Sequence, residues 1–299
     1  MEARFTTGRP IRHVAVMTAT SGVGLVSLFL VDALNLFYVS MLGEQALAAA
    51  IGFAGTVQFF MISVAIGLSI AATAVVSRAV GAGEAAEARR LAASSLAVLV
   101  GALALVALGL WIMRDAALGL LGAQGETRAI AGRFLAIVLP ALPLLGVGMV
   151  AGGLMRAVGD ARRSMQITLA GGAVAAVLDP LLIFGLGLGI DGAAIASALS
   201  RATLAVMGLH YLVRGHGLPG RIERAHLAAD ARRIFGIGFP AVATQLSTPF
   251  GNAFLTGTVA QHGDAAVAGW AVVGRLSALA FVAVFAMSGA VGPIIGQNR

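Results

Sequence analysis

Two aspartates sit where apolar sequence should exclude them. Asp32 lies well inside the run that begins near Val14, and Asp179 lies in Leu178-Asp179-Pro180-Leu181-Leu182-Ile183-Phe184-Gly185. A carboxylate inside a membrane-length helix is expensive, and by default it marks an ion or proton pathway. Ser197 is a third polar group of this kind. Counted from the helix ends at about 1.5 Å per residue, Asp32, Asp179 and Ser197 all fall roughly 10–14 Å below one surface. Three polar groups from three helices in one layer are what a single cation site requires. A carboxyl there can load a proton from one side and release it to the other. Pro180 has no N–H, so the carbonyl of Ala176 loses its helical donor. Two readings of this proline stand: a packing kink, or a freed carbonyl that joins the carboxylate as a cation ligand, as in the broken helices of transporters. Arg201 follows Ser197 at i+4 on the same helix face and is a possible charge partner of Asp179 or Asp32. Snorkelling toward an interface is its other reading. Gln58, Met61, Met207 and Gln245 are candidate linings of a substrate cavity, since flexible Met suits a surface that accepts many shapes. Met149, Met287, Phe59 and Phe60 are further candidates, although most positions of this type are core or lipid-facing. The five histidines form no metal-ligand spacing, and no metal or cofactor is expected.

The elements that must hold these groups are membrane helices. Of 299 residues, 59% are hydrophobic and only 11% charged, where a soluble domain carries roughly a quarter charged residues. Mean hydropathy is +0.94. There is no cysteine and no lysine, so all 20 basic residues are arginine. That excludes disulfides, thiolate metal sites and a P-loop, which needs its lysine. The net charge of +7 is better explained by cytoplasmic loop arginines than by nucleic acid. The first apolar run is too long for the core of a cleavable signal peptide. Eight segments of spanning length are expected, near 13–40, 46–77, 91–113, 130–155, 164–188, 190–213, 233–260 and 265–296. Helix is the state that satisfies backbone polar groups within each segment. The expected class is an all-α polytopic membrane protein with eight transmembrane helices. With the N-terminus inside, fifteen arginines fall on the cytoplasmic side and three outside, with Arg201 and Arg275 within helices. That bias predicts both termini in the cytoplasm.

The chain also repeats itself. Shifted by 220 residues, Arg232 falls on Arg12, Ser247 on Ser27, Gly263 on Gly43 and Ala266 on Ala46. Segments seven and eight therefore restart segments one and two in the same sense across the membrane, a parallel repeat. The expected organisation is a six-helix lobe over 1–216, a cytoplasmic linker over 217–232 and a partial second lobe over 233–299. Asn252 takes the repeat position of Asp32, which confines the acids to the first lobe.

These features resemble the multidrug and toxic compound extrusion (MATE) transporters. The carriers are Val31-Asp32-Ala33 with Leu42-Gly43-Glu44-Gln45-Ala46-Leu47-Ala48-Ala49, then Arg156-Ala157-Val158-Gly159-Asp160, Leu178-Asp179-Pro180, Gly192-Ala193-Ala194-Ile195-Ala196-Ser197, Gly236-Ile237-Gly238-Phe239-Pro240 and Gly292-Pro293-Ile294-Ile295-Gly296-Gln297-Asn298. The acids at 32 and 179 look like the branch typified by DNA-damage-inducible protein F. The resemblance implies twelve helices in two lobes, so this chain reads as truncated after the eighth. It implies a cation-coupled antiporter of the bacterial inner membrane that exports drugs or other organic cations. It also implies a polar network to which Asp32, Asp179 and Ser197 contribute. The family's asparagine, one turn before Asp179, is Ala175 here, which weakens sodium coordination and favours protons. Membrane lipids are the expected surroundings and nucleic acid is not an expected partner. The alternatives are a lipid-linked oligosaccharide flippase, which usually needs a more basic cavity, an intramembrane aspartyl protease lacking its Gly-x-Gly-Asp signature, and an inactive fragment.

Overall fold

The computed structural model describes residues 5–6, 9–43 and 45–298, with the side chains of Asp32 and Gln45 left out. Among the described residues ten α-helices follow one another: α1 (Pro10–Ser40), α2 (Gln45–Gly81), α3 (Ala85–Leu120), α4 (Gly125–Val138), α5 (Leu142–Ala157), α6 (Ala161–Pro180), α7 (Gly189–His210), α8 (Arg224–Ala260), α9 (Asp264–Ala280) and α10 (Val282–Gln297). No strand occurs among the described residues. Pro10 opens α1 at its first turn, where a missing N–H is harmless. The turn after α1 closes on Gly43 at φ 82°, a left-handed conformation that suits glycine. Asp160 caps α6, its side chain accepting from the Arg163 N–H.

Among the described residues six stretches are long and apolar enough to cross a membrane: α1, α2 from Ala46, α3, Gly125–Ala157, Ala161–Gly185 and Gly189–Gly215. The fourth is α4 and α5 joined through a 3-10 turn at Leu139–Ala141. The fifth and sixth are α6 and α7 extended by π-turns at Leu181–Gly185 and Tyr211–Gly215. A seventh is α9 with α10, where the expected single eighth helix is bent by 52°. The cause is local: Phe281 leaves the helical basin, at φ −97° and ψ 10°. Its repeat partner, Met61, lies in unbroken α2. The remaining helix, α8, has 37 residues. Thr244, Gln245, Ser247, Thr248 and Asn252 interrupt its apolar run, and it is not among the stretches apolar enough to span. It also starts earlier than expected. The stretch assigned to a linker is helical from Arg224, because Asp230 docks on α3 and fixes the first turns.

The helices pack around one main core, with a smaller cluster of Phe5, Met17, Ala161, Ala290 and Ile294 beside it. Phe53 and Met61 of α2, Leu91 and Leu99 of α3, Leu135 of α4 and Leu154 and Met155 of α5 are among the largest fully buried side chains of the main core. α2 packs along α8, and α6 lies between α1 and α7. Small residues bring α6 and α7 together. A Cβ on Gly192 would stand 2.7 Å from the carbonyl carbon and oxygen of Leu182, so α7 starts directly against the π-turn that follows Asp179.

Candidate functional site

The buried acid of α6 meets an amide of α1. Asp179 is 1% exposed and Asn35 is 8% exposed. Asn35 Nδ2 donates to Asp179 Oδ1 at 3.0 Å. Burial of a carboxylate is tolerable only where donors replace the water it loses. The pair sits where α6 ends: Asp179 is followed by Pro180 and then by the π-turn Leu181–Gly185. Proline removes a backbone donor, and the wide turn reroutes the hydrogen bonds that follow. Proline and π-turns are the usual places where a helix kinks, and here both stand beside the buried acid.

The other sequence candidates are distributed around this pair. Asp32 belongs to α1, three residues before Asn35, and its side chain lies outside the described residues. Ser197 is half-buried on α7, and the neighbouring hydroxyl Ser200 donates to the Gly171 carbonyl of α6 at 2.8 Å. Arg201 donates to the Val138 carbonyl at 2.9 Å and to Gln58 Oε1 at 2.5 Å. Gln58, expected in a cavity wall, is therefore a partner of this arginine and joins α2 to α7. Met61 is 1% exposed and packs in the hydrophobic core, not in a cavity wall. Met207 is half-buried against the same core, and Gln245 is half-buried on α8. Ala175 is buried on the turn before Asp179. Asn35 was not singled out by the sequence reading. The signal was present: an amide at i+3 from Asp32 lies on the same helix face.

An apolar crevice of about 330 Å³ opens beside this layer. Ala33, Leu36, Phe37 and Ser40 of α1 form one wall, and Ala268, Val272, Arg275 and Leu276 of α9 form the other. Among the described lining residues Arg275 is the only charged one. Among the described residues no group of three His, Cys, Asp or Glu could hold a metal ion.

The arginine-rich end of the bundle is pinned by ion pairs. Asp230 of α8 is 3% exposed. It accepts from Arg90 Nη1 at 2.9 Å and from Ser94 Oγ at 2.6 Å, both on α3. Arg233 adds a bond to Glu87. Asp160 accepts from the Arg163 N–H at 3.1 Å and pairs with His216 at 2.9 Å. Burial pushes its carboxyl up, but the His216 and Arg163 bonds, and the charge of Arg163, hold it below the usual carboxylate range. At the opposite end, Thr127 of α4 donates to Asp264 at the start of α9, and the Thr56 and Thr256 hydroxyls meet at 3.2 Å.

Membrane-length helices, a buried acid beside a proline and a π-turn, and a crevice between α1 and α9 describe a polytopic membrane protein. The chain belongs to the MATE family: the MatE family model matches residues 21–181. It is 30% identical over 302 residues to the FAD transporter of Shewanella oneidensis, an alignment covering 97% of this chain and 65% of that protein. It is 26% identical over 275 residues to the multidrug export protein MepA of Staphylococcus aureus, covering 89% of this chain and 59% of that protein. A crystal structure of a mutant of the Vibrio cholerae MATE transporter VcmN matches with a TM-score of 0.85 and 31% identity, over 96% of this chain and 65% of that one. The chain thus spans about two thirds or less of the length of these relatives.

Proposed function

We propose that this chain forms the first lobe and the start of the second lobe of a cation-coupled antiporter. It exports drugs or other organic cations across the bacterial cytoplasmic membrane. Protons are the coupling ion, in preference to sodium. Both ends face the cytoplasm, as the arginine bias indicates. The observation that carries the reading is the buried Asn35–Asp179 bond at the break in α6. A proton gained or lost there alters the hydrogen bond that ties α6 to α1, at the point where α6 bends most easily. The test is efflux of a cationic dye from vesicles under an imposed pH gradient. Asp179→Asn keeps the size and removes the titrating proton, so gradient-driven efflux is lost at unchanged expression. Efflux equal to the parent refutes the reading. Replacing sodium with potassium leaves the parent unaffected if protons couple.

A further inference from the structure

The arginine-rich end of the bundle closes where two repeat-related helix ends meet. The shift of 220 residues that lays α9 and α10 on α2 pairs Gln297 with Ser77. The structure sets these ends against each other. A Cβ on Gly81 would stand on the Gln297 carbonyl oxygen, and one on Gly296 would stand on the Ser77 hydroxyl. Glycine therefore holds both contacts, and neither position has room for a side chain. Ser77 is fully buried and Gln297 is 2% exposed.

The Gln297 side chain joins three segments that are remote in sequence. Its Oε1 accepts from the Phe5 N–H at 2.9 Å, and its Nε2 donates to the carbonyl of Ala157, the last residue of α5, at 2.6 Å. Asn298 Nδ2 donates to the Phe5 carbonyl at 3.1 Å, so the end of α10 grips both polar groups of that residue. Phe5 also belongs to the apolar cluster that Met17 of α1, Ala161 of α6 and Ile294 of α10 share. Toward the other end of α1, around Phe37 and Ser40, the crevice between α1 and α9 opens instead. The helices are sealed at one end and cleft at the other. An uncharged amide suits the seal, because it supplies one acceptor and one donor to two buried backbone groups and brings no charge with it. Its loss strands both of those groups.

We propose that Gln297 pins an end seal: its two bonds hold α10 on α2 and hold Phe5 across the junction, so that α2 and α10 part at this end only as one event. The seal decides whether water and solutes reach the α2–α10 contact from the arginine-rich side. It goes beyond the transport reading and uses neither its coupling ion nor its substrate.

The chain has no cysteine, so a single introduced one is an unambiguous reporter. Ser77→Cys reports from α2, and Ile294→Cys, at a site 5% exposed, reports from α10. The experiment measures the labelling rate of each reporter by a charged maleimide, with the whole chain in lipid discs that leave both membrane faces open to the reagent. The expected result is slow labelling of both reporters and, on adding Gln297→Ala, a rise of about tenfold or more in both rates, as two lost buried bonds require. Gln297→Met keeps the volume and removes the same two bonds, so it serves where the alanine variant folds poorly and should give the same rise. Rates within about twofold of the parent overturn the proposal, because two buried bonds would then be worth less than one weak one. A rise with alanine but not with methionine overturns it too, since packing and not the bonds would hold the seal. So does a rise at one reporter alone, which means that a single helix end frays. Labelling needs no efflux, so this proposal and the transport reading fail separately.

Discussion

Replacing Asp230 with alanine should free the first turns of α8 from α3. The carboxylate is 3% exposed and holds two donors, Arg90 at 2.9 Å and Ser94 at 2.6 Å. Removing one partner of a fully buried ion pair costs about 3–5 kcal/mol, mostly because the other charge is stranded. Arg90 is not fully stranded. Its side chain is 22% exposed and keeps Glu87 at 3.9 Å. Arg233 still holds Glu87 as well. The residual cost is then about 2–3 kcal/mol, or an opening equilibrium raised about 30- to 150-fold. Amide hydrogen exchange of residues 224–232 in detergent or lipid discs reads that equilibrium directly. Exchange there should accelerate by about that factor while the centre of α8 stays protected. Protection unchanged within about threefold would refute the reasoning, because it would mean that the ion pair contributes no more than a solvent-exposed one does.

Two further outcomes follow from particular contacts. The carboxyl of Asp160 is held below the usual range, burial being outweighed by His216 and Arg163, so its stabilisation is full above the ordinary carboxylate pKa. It is lost as pH falls through the lower folded value, so residues 211–217 should become protease-sensitive only in acid, below about pH 4, and Asp160→Asn should remove that acid-dependent step. Gly192→Ala drives a methyl to 2.7 Å from the Leu182 backbone, and overpacking of this kind costs about 1–3 kcal/mol, read as a lower thermal midpoint in detergent.

The architecture was legible in apolar length, arginine bias and the 220-residue repeat, which are spread along the whole sequence. Asp179 was legible as well, because one acid among leucines is conspicuous. Asn35 was passed over because an amide beside Asp32 attracts less notice than the acid, and a bond spanning 144 positions has no local trace. Arg201 shows the converse. Its charge suggested an acid, yet its hydrogen bonds include an amide and a backbone carbonyl. The clamp on Asp230 was invisible because the segment around it reads as an arginine-rich linker, and only contact with α3 makes it helical. The break at Phe281 had no proline or glycine signal within two residues, and the repeat itself argued for continuity there.

The distribution of strong and weak contacts suggests where motion is admitted. At the arginine-rich end, α8 is tied to α3 by two charged pairs and a hydroxyl. Asn298 and Gln297 near the end of α10 bond to Phe5 and Ala157. At the opposite end, Thr127 and Thr56 hold α9 and α8 through single side-chain bonds. Between these ends lies the one place where a buried acid, a proline and a π-turn coincide on α6. A rigid bundle cannot respond to one proton, because a single hydrogen bond is worth only about 0.5–1.5 kcal/mol net. A bond of that size can tip a helix only where the helix's own ladder is already weakened. Pro180 takes one donor from that ladder and the π-turn shifts the bonds that follow to a wider spacing, so the outer end of α6 beyond Asp179 is held less firmly by its own backbone than the turns before it.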